Sequence, residues 1–107
     1  MTTSIVYSAK VNAGDGFDAP VPLQGLPGWT VSKQSQTEIY LITHNLNKKM
    51  HVVATSMSPS SHVVVQSVSE NSFTISAWRF DLMPTQTDFM FIATCKVPNA
   101  PVINGNV

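Results

Sequence analysis

The sequence predicts an all-β fold, a small antiparallel β-sandwich of six or seven strands in a single domain. Runs of alternating apolar and polar residues recur with turn-forming residues between them, roughly every eight to twelve residues. No window of about eleven residues carries apolar side chains at helical spacing with capping residues at its ends. The chain has 107 residues, which is enough for one domain with a modest core.

The N-terminal part of the chain predicts one strand followed by a long covering loop. Residues 4–11 alternate weakly between apolar and polar side chains, as a strand does. Residues 12–28 contain several glycines and three prolines, which open turns and interrupt strand pairing. Apolar residues still recur within this loop. We therefore expect it to lie across a surface of residues 1–97, which form the predicted domain.

The strand predicted at residues 38–46 is the one around which the fold is organised. Its bulky side chains fall on both faces, with Tyr40 and Ile42 on one and Ile39 and Leu41 on the other. A strand that is apolar on both faces is usually covered on both faces. In a chain this short, we expect the second cover to come from another subunit.

The other strands are bounded by clear turn signals. The loop at Glu70 and Asn71 has the length of a tight two-residue hairpin, and Asn suits a backbone position with positive φ. The phase of the flanking strands directs Phe73 and Phe89 toward the core. Residues 98–107 show no periodicity and form either a disordered tail or an arm that docks on a neighbour. These further strands are predicted at residues 29–33, 50–57, 62–69, 72–80 and 87–97.

The composition is unusually poor in charge. Charged residues make up 11% of the chain, against about a quarter in typical domains, and the net charge is zero. Phosphate binding needs clustered cations, so we expect no nucleic-acid partner. A surface of this kind is common on β-proteins that work against other protein surfaces, and it is also compatible with a neutral extracellular domain.

The single cysteine and the N-terminus restrict the chemistry and the cellular setting. Cys95 has no partner for an intrachain disulfide, and its place in a strand predicts a small buried hydrophobic residue. The N-terminus has no signal-peptide pattern, and no apolar run is long enough to cross a bilayer. We expect synthesis in a cytoplasm without membrane insertion.

Nothing in the sequence predicts an enzyme, a cofactor or a metal site. His44, His51 and His62 have no cysteine or carboxylate at ligand spacing, although one histidine per subunit could hold an ion on a trimer axis. No nucleophile elbow or paired-carboxylate pattern is present. The simpler interpretation of His44 is a hydrogen-bonded corner residue that ties the backbone of Asn45 to a neighbouring strand.

Five residues are candidates for ligand or subunit contact. Aromatic faces stack on sugar rings, and Trp78 lies beside Arg79 and Phe80 on the predicted surface of its strand. The alternative for Trp78 is packing against a neighbouring subunit or the long N-terminal loop. Met90 and Ile92 point away from the predicted core and are candidates for a subunit contact.

Several short elements, in order, resemble a β-sandwich module found in bacteriophage fibre and related virion proteins. The resemblance spans residues 28–93, about two thirds of the chain. A glycine usually follows His-Asn-Leu in these modules, whereas Asn47 stands here and can also adopt a left-handed backbone. The matching elements are Tyr-Leu-Ile-Thr-His-Asn-Leu at residues 40–46, His-Val-Val-Ala-Thr at 51–55, Asn-Ser-Phe-Thr-Ile at 71–75 and Thr-Asp-Phe-Met-Phe-Ile at 87–92.

This resemblance implies an H-type-lectin-like sandwich that forms homotrimers, with Tyr40, His44 and Asn45 as signature residues of its corner. It implies a structural component of a virion, in a tail fibre, tail tip or baseplate, that contacts other virion proteins and the host surface. Two alternatives remain open: a capsid decoration protein that clamps coat subunits with its terminal segments, and a freestanding lectin that binds host glycans.

Overall fold

The computed structural model describes residues 2–13, 23–33, 38–81 and 83–98, and in this part of the chain it is all-β. Two antiparallel sheets of four strands each share one core, which confirms the predicted fold class. None of the described residues forms a helix long and apolar enough to cross a membrane. The strands are β1 Thr2–Val11, β2 Leu23–Gln24, β3 Thr30–Lys33, β4 Ile39–Thr43, β5 His51–Ser56, β6 Ser61–Val68, β7 Ser72–Arg79 and β8 Phe89–Pro98.

The first sheet has the strand order β2-β1-β8-β5, and the second sheet has the order β3-β4-β7-β6. The described residues form eight strands, one more than the seven ranges that the sequence predicts. The additional strand is β2, which lies in the predicted N-terminal loop and pairs with Lys10 and Val11 of β1. Residues 14–22 of that loop, and the predicted tail beyond Pro98, lie outside the described residues.

The core is formed by the inward-facing positions of both sheets. Aromatic rings dominate its centre, where Phe91 stacks on Trp29 at 5.9 Å and meets Phe73 edge-on at 5.2 Å. Cys95 is a buried free cysteine, as predicted. The buried apolar residues of the core are Ala9, Val11, Ala13, Trp29, Tyr40, Ile42, Met50, Phe73, Ile75, Ala77, Phe89, Phe91, Ala93 and Cys95.

Strand β4 lies inside the second sheet, between β3 and β7, as its two-sided apolar pattern predicts. Tyr40 and Ile42 point inward and are fully buried. Ile39 and Leu41 lie on the outer face and are only partly buried. The strand therefore belongs to the central core, while its outer face is half covered by its own chain.

The turn between β6 and β7 has the predicted length, but its conformation differs. The Ser69 N–H donates to the Ser72 carbonyl at 2.8 Å, which leaves Glu70 and Asn71 as the two loop residues. Asn71 does not have the expected positive φ, so that part of the prediction is wrong. The register of β6 and β7 shifts between Val65 and Ser67, through a β-bulge or a similar irregularity close to this turn.

Candidate functional site

The corner after β4 is built around a buried histidine. His44 is 4% exposed, and its ring lies 5.2 Å from Trp29 and 6.3 Å from Phe73. Its Nδ1 atom accepts a hydrogen bond of 3.1 Å from the backbone N–H of Leu46. Burial lowers the pKa of His44, so the neutral ring is favoured. The Nε2 atom is buried and has no hydrogen-bond partner within the described structure.

Asn71, rather than His44, ties this corner to the neighbouring strand. The backbone N–H groups of His44 and Asn45 both donate to the Asn71 carbonyl, at 2.9 and 3.2 Å. The side chains of Asn47 and Asn71 are joined at 2.9 Å, and the Asn47 N–H donates to Asn71 Oδ1 at 2.8 Å. Asn45 and Asn47 adopt φ values of 59° and 54°. His44 is thus a hydrogen-bonded corner residue, but its side chain bonds Leu46 within its own turn, and the tie to the neighbouring strand runs through the Asn71 carbonyl.

A buried ionic cluster, which the sequence analysis did not find, lies beside this corner strand. The Tyr40 hydroxyl donates to Glu38 Oε1 at 2.7 Å, and Lys33 Nζ lies 3.5 Å from the same oxygen. The side chains of Lys33 and Glu38 are only 1% and 5% exposed. Burial, followed by the bond to Glu38, raises the pKa of Tyr40, so its hydroxyl stays a donor. The alternation offered a signal, because Lys33 is in phase with the inward-facing Val31.

The five predicted contact residues do not form one site. Met90 and Ile92 lie on the outer face of the first sheet, where they are 45% and 49% exposed. Trp78 lies on the outer face of the second sheet, with Arg79 and Phe80 next to it at the end of β7. The two groups occupy opposite sides of the shared core, because each outer face points away from the other sheet.

The outer face of the first sheet carries a patch of three exposed apolar side chains, which we call the outer patch: Val53, Met90 and Ile92. Val53 is 69% exposed and lies opposite Ile92 in the β5–β8 register, while Thr55 lies opposite Met90. These residues line a small apolar hollow of about 100 Å³. Exposed apolar side chains that adjoin one another are typical of a contact surface.

The aromatic residues on the second sheet form a smaller exposed cluster. Phe80 is 67% exposed and stacks on His62, with the ring centroids 5.7 Å apart and the planes 15° apart. Trp78 is half-buried, and its Nε1–H donates to Ser76 Oγ at 2.7 Å. That bond ties the indole to its own strand. Phe80 therefore presents more free aromatic surface than Trp78, which the sequence analysis favoured.

The charged pair beside this cluster is solvated. The Arg79 Nε–H donates to Asp81 Oδ1 at 3.1 Å. This hydrogen bond lowers the pKa of Asp81 and raises the pKa of Arg79. Both side chains are more than half exposed, so the pair is a surface ion pair of small energetic effect.

A hydroxyl cluster joins the two sheets where the chain passes from β5 to β6. Ser61 Oγ donates to Thr87 Oγ1 at 3.0 Å and lies 2.8 Å from Ser56 Oγ. A shallow depression of about 610 Å³ adjoins Thr87 and Asp88. Asp88 accepts the Ala13 N–H at 2.8 Å, and it is the only carboxylate among the described residues that line this depression. The arrangement fixes loops and contains no acid–base pair.

In comparisons with protein-family models, with curated proteins and with solved structures, nothing matches this chain. The resemblance to the phage module therefore rests on the four sequence elements between residues 40 and 92 alone, and Tyr40, His44 and Asn45 belong to the first of them. The structure makes these three residues part of the core and the adjoining corner, and places no exposed reactive group among them.

Proposed function

We propose that this chain is a structural component of a bacteriophage virion, a tail-fibre, tail-tip or baseplate module that acts by homo-oligomeric assembly. The observation that carries the proposal is the outer patch. Val53, Met90 and Ile92 adjoin one another on a regular sheet and remain between 45% and 69% exposed in the single chain. The resemblance to virion modules supplies the biological setting and implies three copies in H-type-lectin-like packing.

The energetics favour a subunit contact at this patch. Each large apolar side chain that becomes fully buried contributes about 1.5–3 kcal/mol before the cost of association. The chain has few charges and no net charge, so copies approach one another without long-range repulsion. A patch with this composition therefore suits a second apolar protein surface.

Charge insertion tests the assembly. The variant Ile92→Lys introduces a charge in the middle of the outer patch, and Val64→Lys introduces the same charge on the outer face of the second sheet. The two positions are comparably exposed, at 49% and 44%. We expect the wild type and Val64→Lys to sediment as the same oligomer and Ile92→Lys to sediment as a smaller species. A monomeric wild type, or equal loss in both variants, would contradict the proposal.

The virion setting needs its own measurement. The chain should be present in purified phage particles in a constant copy number, and density for its two-sheet fold should lie in the tail or its tip. Density on the capsid lattice instead would favour the decoration-protein alternative. Absence from purified particles would refute the virion role while leaving self-assembly untouched.

A second candidate function is host-glycan binding, and Phe80 is the observation that favours it. The free face of this ring, stacked on His62 and next to Trp78, offers an aromatic platform of the kind on which sugars stack. We expect Phe80→Ala to abolish binding on a glycan array, with Met83→Ala as a control of similar exposure on the following loop. A wild-type protein that binds no glycan would remove this candidate.

A further inference from the structure

Within the part of the chain that the structure describes, strand β1 has a long edge without a strand partner. On one side, β1 pairs with β8 along its whole length, from Thr2 to Val11. On the other side, β2 pairs only with Lys10 and Val11. Gly25, just after β2, lies against the backbone of Ser8 and Ala9. The described residues therefore leave the edge open over residues 2–7.

This open edge has none of the features that usually prevent edge pairing. Natural edges are protected by charged side chains, prolines or bulges, which stop a second strand from adding. Residues 2–7 read Thr-Thr-Ser-Ile-Val-Tyr and contain no charge and no proline. The ladder between β1 and β8 runs without a register shift. The edge is consequently regular, uncharged and rich in strand-forming residues.

We propose that this edge pairs antiparallel with the same edge of a second copy, with the two-fold axis at Ile5. Ile5 is the centre of residues 3–7, and this register pairs all of them with the second copy. In an antiparallel pair, residues directly opposite each other point to the same face. The register satisfies this rule, because it places Ser4 opposite Val6 of the second copy on the outer face.

The chemistry of both faces favours a second copy of this chain as the occupant. On the inner face, Ile5 and Tyr7 are half-buried at the margin of the core, and Ile5 would face Ile5 of the second copy. Cross-strand pairs of β-branched and aromatic residues are favourable in sheets. Val6 is 63% exposed on the outer face and would lose water contact on pairing. No position in this register brings two charges together.

The contact would join two four-stranded sheets into one continuous sheet. An edge of this length buries less than the roughly 800 Å² per partner of a standard interface, so we expect a weak association that depends on protein concentration. The edge is a different surface from the outer patch. The inference therefore goes beyond the proposed function, and each can fail while the other stands.

Cysteine cross-linking tests the register. Under mild oxidation, a mixture of Ser4→Cys and Val6→Cys chains should form disulfide-linked dimers, while each variant alone should form few. Residues directly opposite lie within disulfide range, whereas the diagonal Ser4–Ser4 and Val6–Val6 pairs are about 7–8 Å apart. The wild type is the background control, because Cys95 is buried. The inference would be overturned if the mixture formed no dimers. It would also be overturned if either variant alone formed dimers in the same yield as the mixture.

Charge insertion tests the edge by an independent route. The double variant Ser4→Glu/Val6→Glu places four carboxylates next to the two-fold axis, whereas His51→Glu/Val53→Glu places the same charges on β5. Both pairs of side chains are exposed, and Val6 and His51 lie in register with the same β8 residue, Thr94. We expect the first variant to weaken edge pairing at least tenfold by sedimentation in the Ile92→Lys background, where the outer patch is disrupted, and the second variant to leave it unchanged. Equal pairing in both variants, or a loss only in the β5 variant, would overturn the inference.

Discussion

The hydroxyl of Tyr40 donates a 2.7 Å hydrogen bond to Glu38 Oε1 inside the core, where Tyr40 is fully buried and Glu38 is 5% exposed. Lys33 completes this cluster from the inward face of β3. Buried carboxylates are stable only when they are paired and hydrogen-bonded. The stability of the second sheet thus depends on a polar cluster as well as on apolar packing.

Removal of the Tyr40 hydroxyl should destabilise the domain. In Tyr40→Phe, Glu38 loses its shortest hydrogen bond while it stays buried, and we expect a loss of about 1–3 kcal/mol in unfolding free energy. Urea unfolding followed by tryptophan fluorescence measures this, with Tyr7→Phe, a half-buried tyrosine of the same core, as the control. Equal stability of Tyr40→Phe and the wild type would show that the cluster contributes nothing.

Stability should fall in mild acid because of His44. Burial lowers the pKa of His44 in the folded state, while the unfolded chain has the ordinary value of about 6.5. The unfolded state therefore binds more protons in this range, so stability is full above about pH 6.5 and falls as pH drops toward the folded-state pKa. Protonation of His44 at Nδ1 would also remove the hydrogen bond that this atom accepts from the Leu46 N–H.

The variant His44→Asn isolates this effect. An asparagine oxygen can accept the N–H two residues ahead, as in an Asx turn, but it does not titrate. We expect the urea midpoint of the wild type to rise between pH 5 and pH 7, and that of His44→Asn to rise less. His51→Asn, at an exposed position on β5, should keep the wild-type profile. A profile unchanged in His44→Asn would assign the acid sensitivity to other groups.

The left-handed corner should discriminate between small residues at position 47. Asn47 has a φ of 54°, and its side chain is bonded to Asn71. Both Asn47→Gly and Asn47→Ala delete that bond, but only alanine also bears the cost of the left-handed backbone. We expect Asn47→Ala to be less stable than Asn47→Gly by about 1–2 kcal/mol in thermal or urea unfolding. The reverse order would contradict the corner geometry.

Much of the fold could be predicted from strand periodicity. In a strand, successive side chains point to opposite faces of the sheet, and this alternation predicts that Phe73, Phe89 and Tyr40 point inward. All three are buried, which confirms the prediction. Strand β2 could not be predicted, because two residues between glycines and prolines carry no detectable period. The conformation at Asn71 also escaped prediction, since the length of a turn and the presence of an asparagine do not by themselves fix the sign of φ.

The contact surfaces were predicted only in part. Periodicity placed Met90 and Ile92 outside the core, but the pairing of β5 with β8 that brings Val53 beside them is a non-local relationship. The open edge of β1 depends on how far β2 extends, which no local pattern reveals. The inward-facing Lys33 was overlooked because lysine is rarely buried unless it is paired. Its partner Glu38 lies five residues later, just before β4 begins, outside the strand that contains Lys33.

The central claim is that this chain acts by associating with itself, and its mass in solution tests that claim most directly. The monomer is 11.6 kDa. Sedimentation equilibrium of the wild type across micromolar concentrations should give a multiple of that mass, and Ile92→Lys should give a smaller one. A wild-type protein that stays at the monomer mass over the whole range would contradict the account.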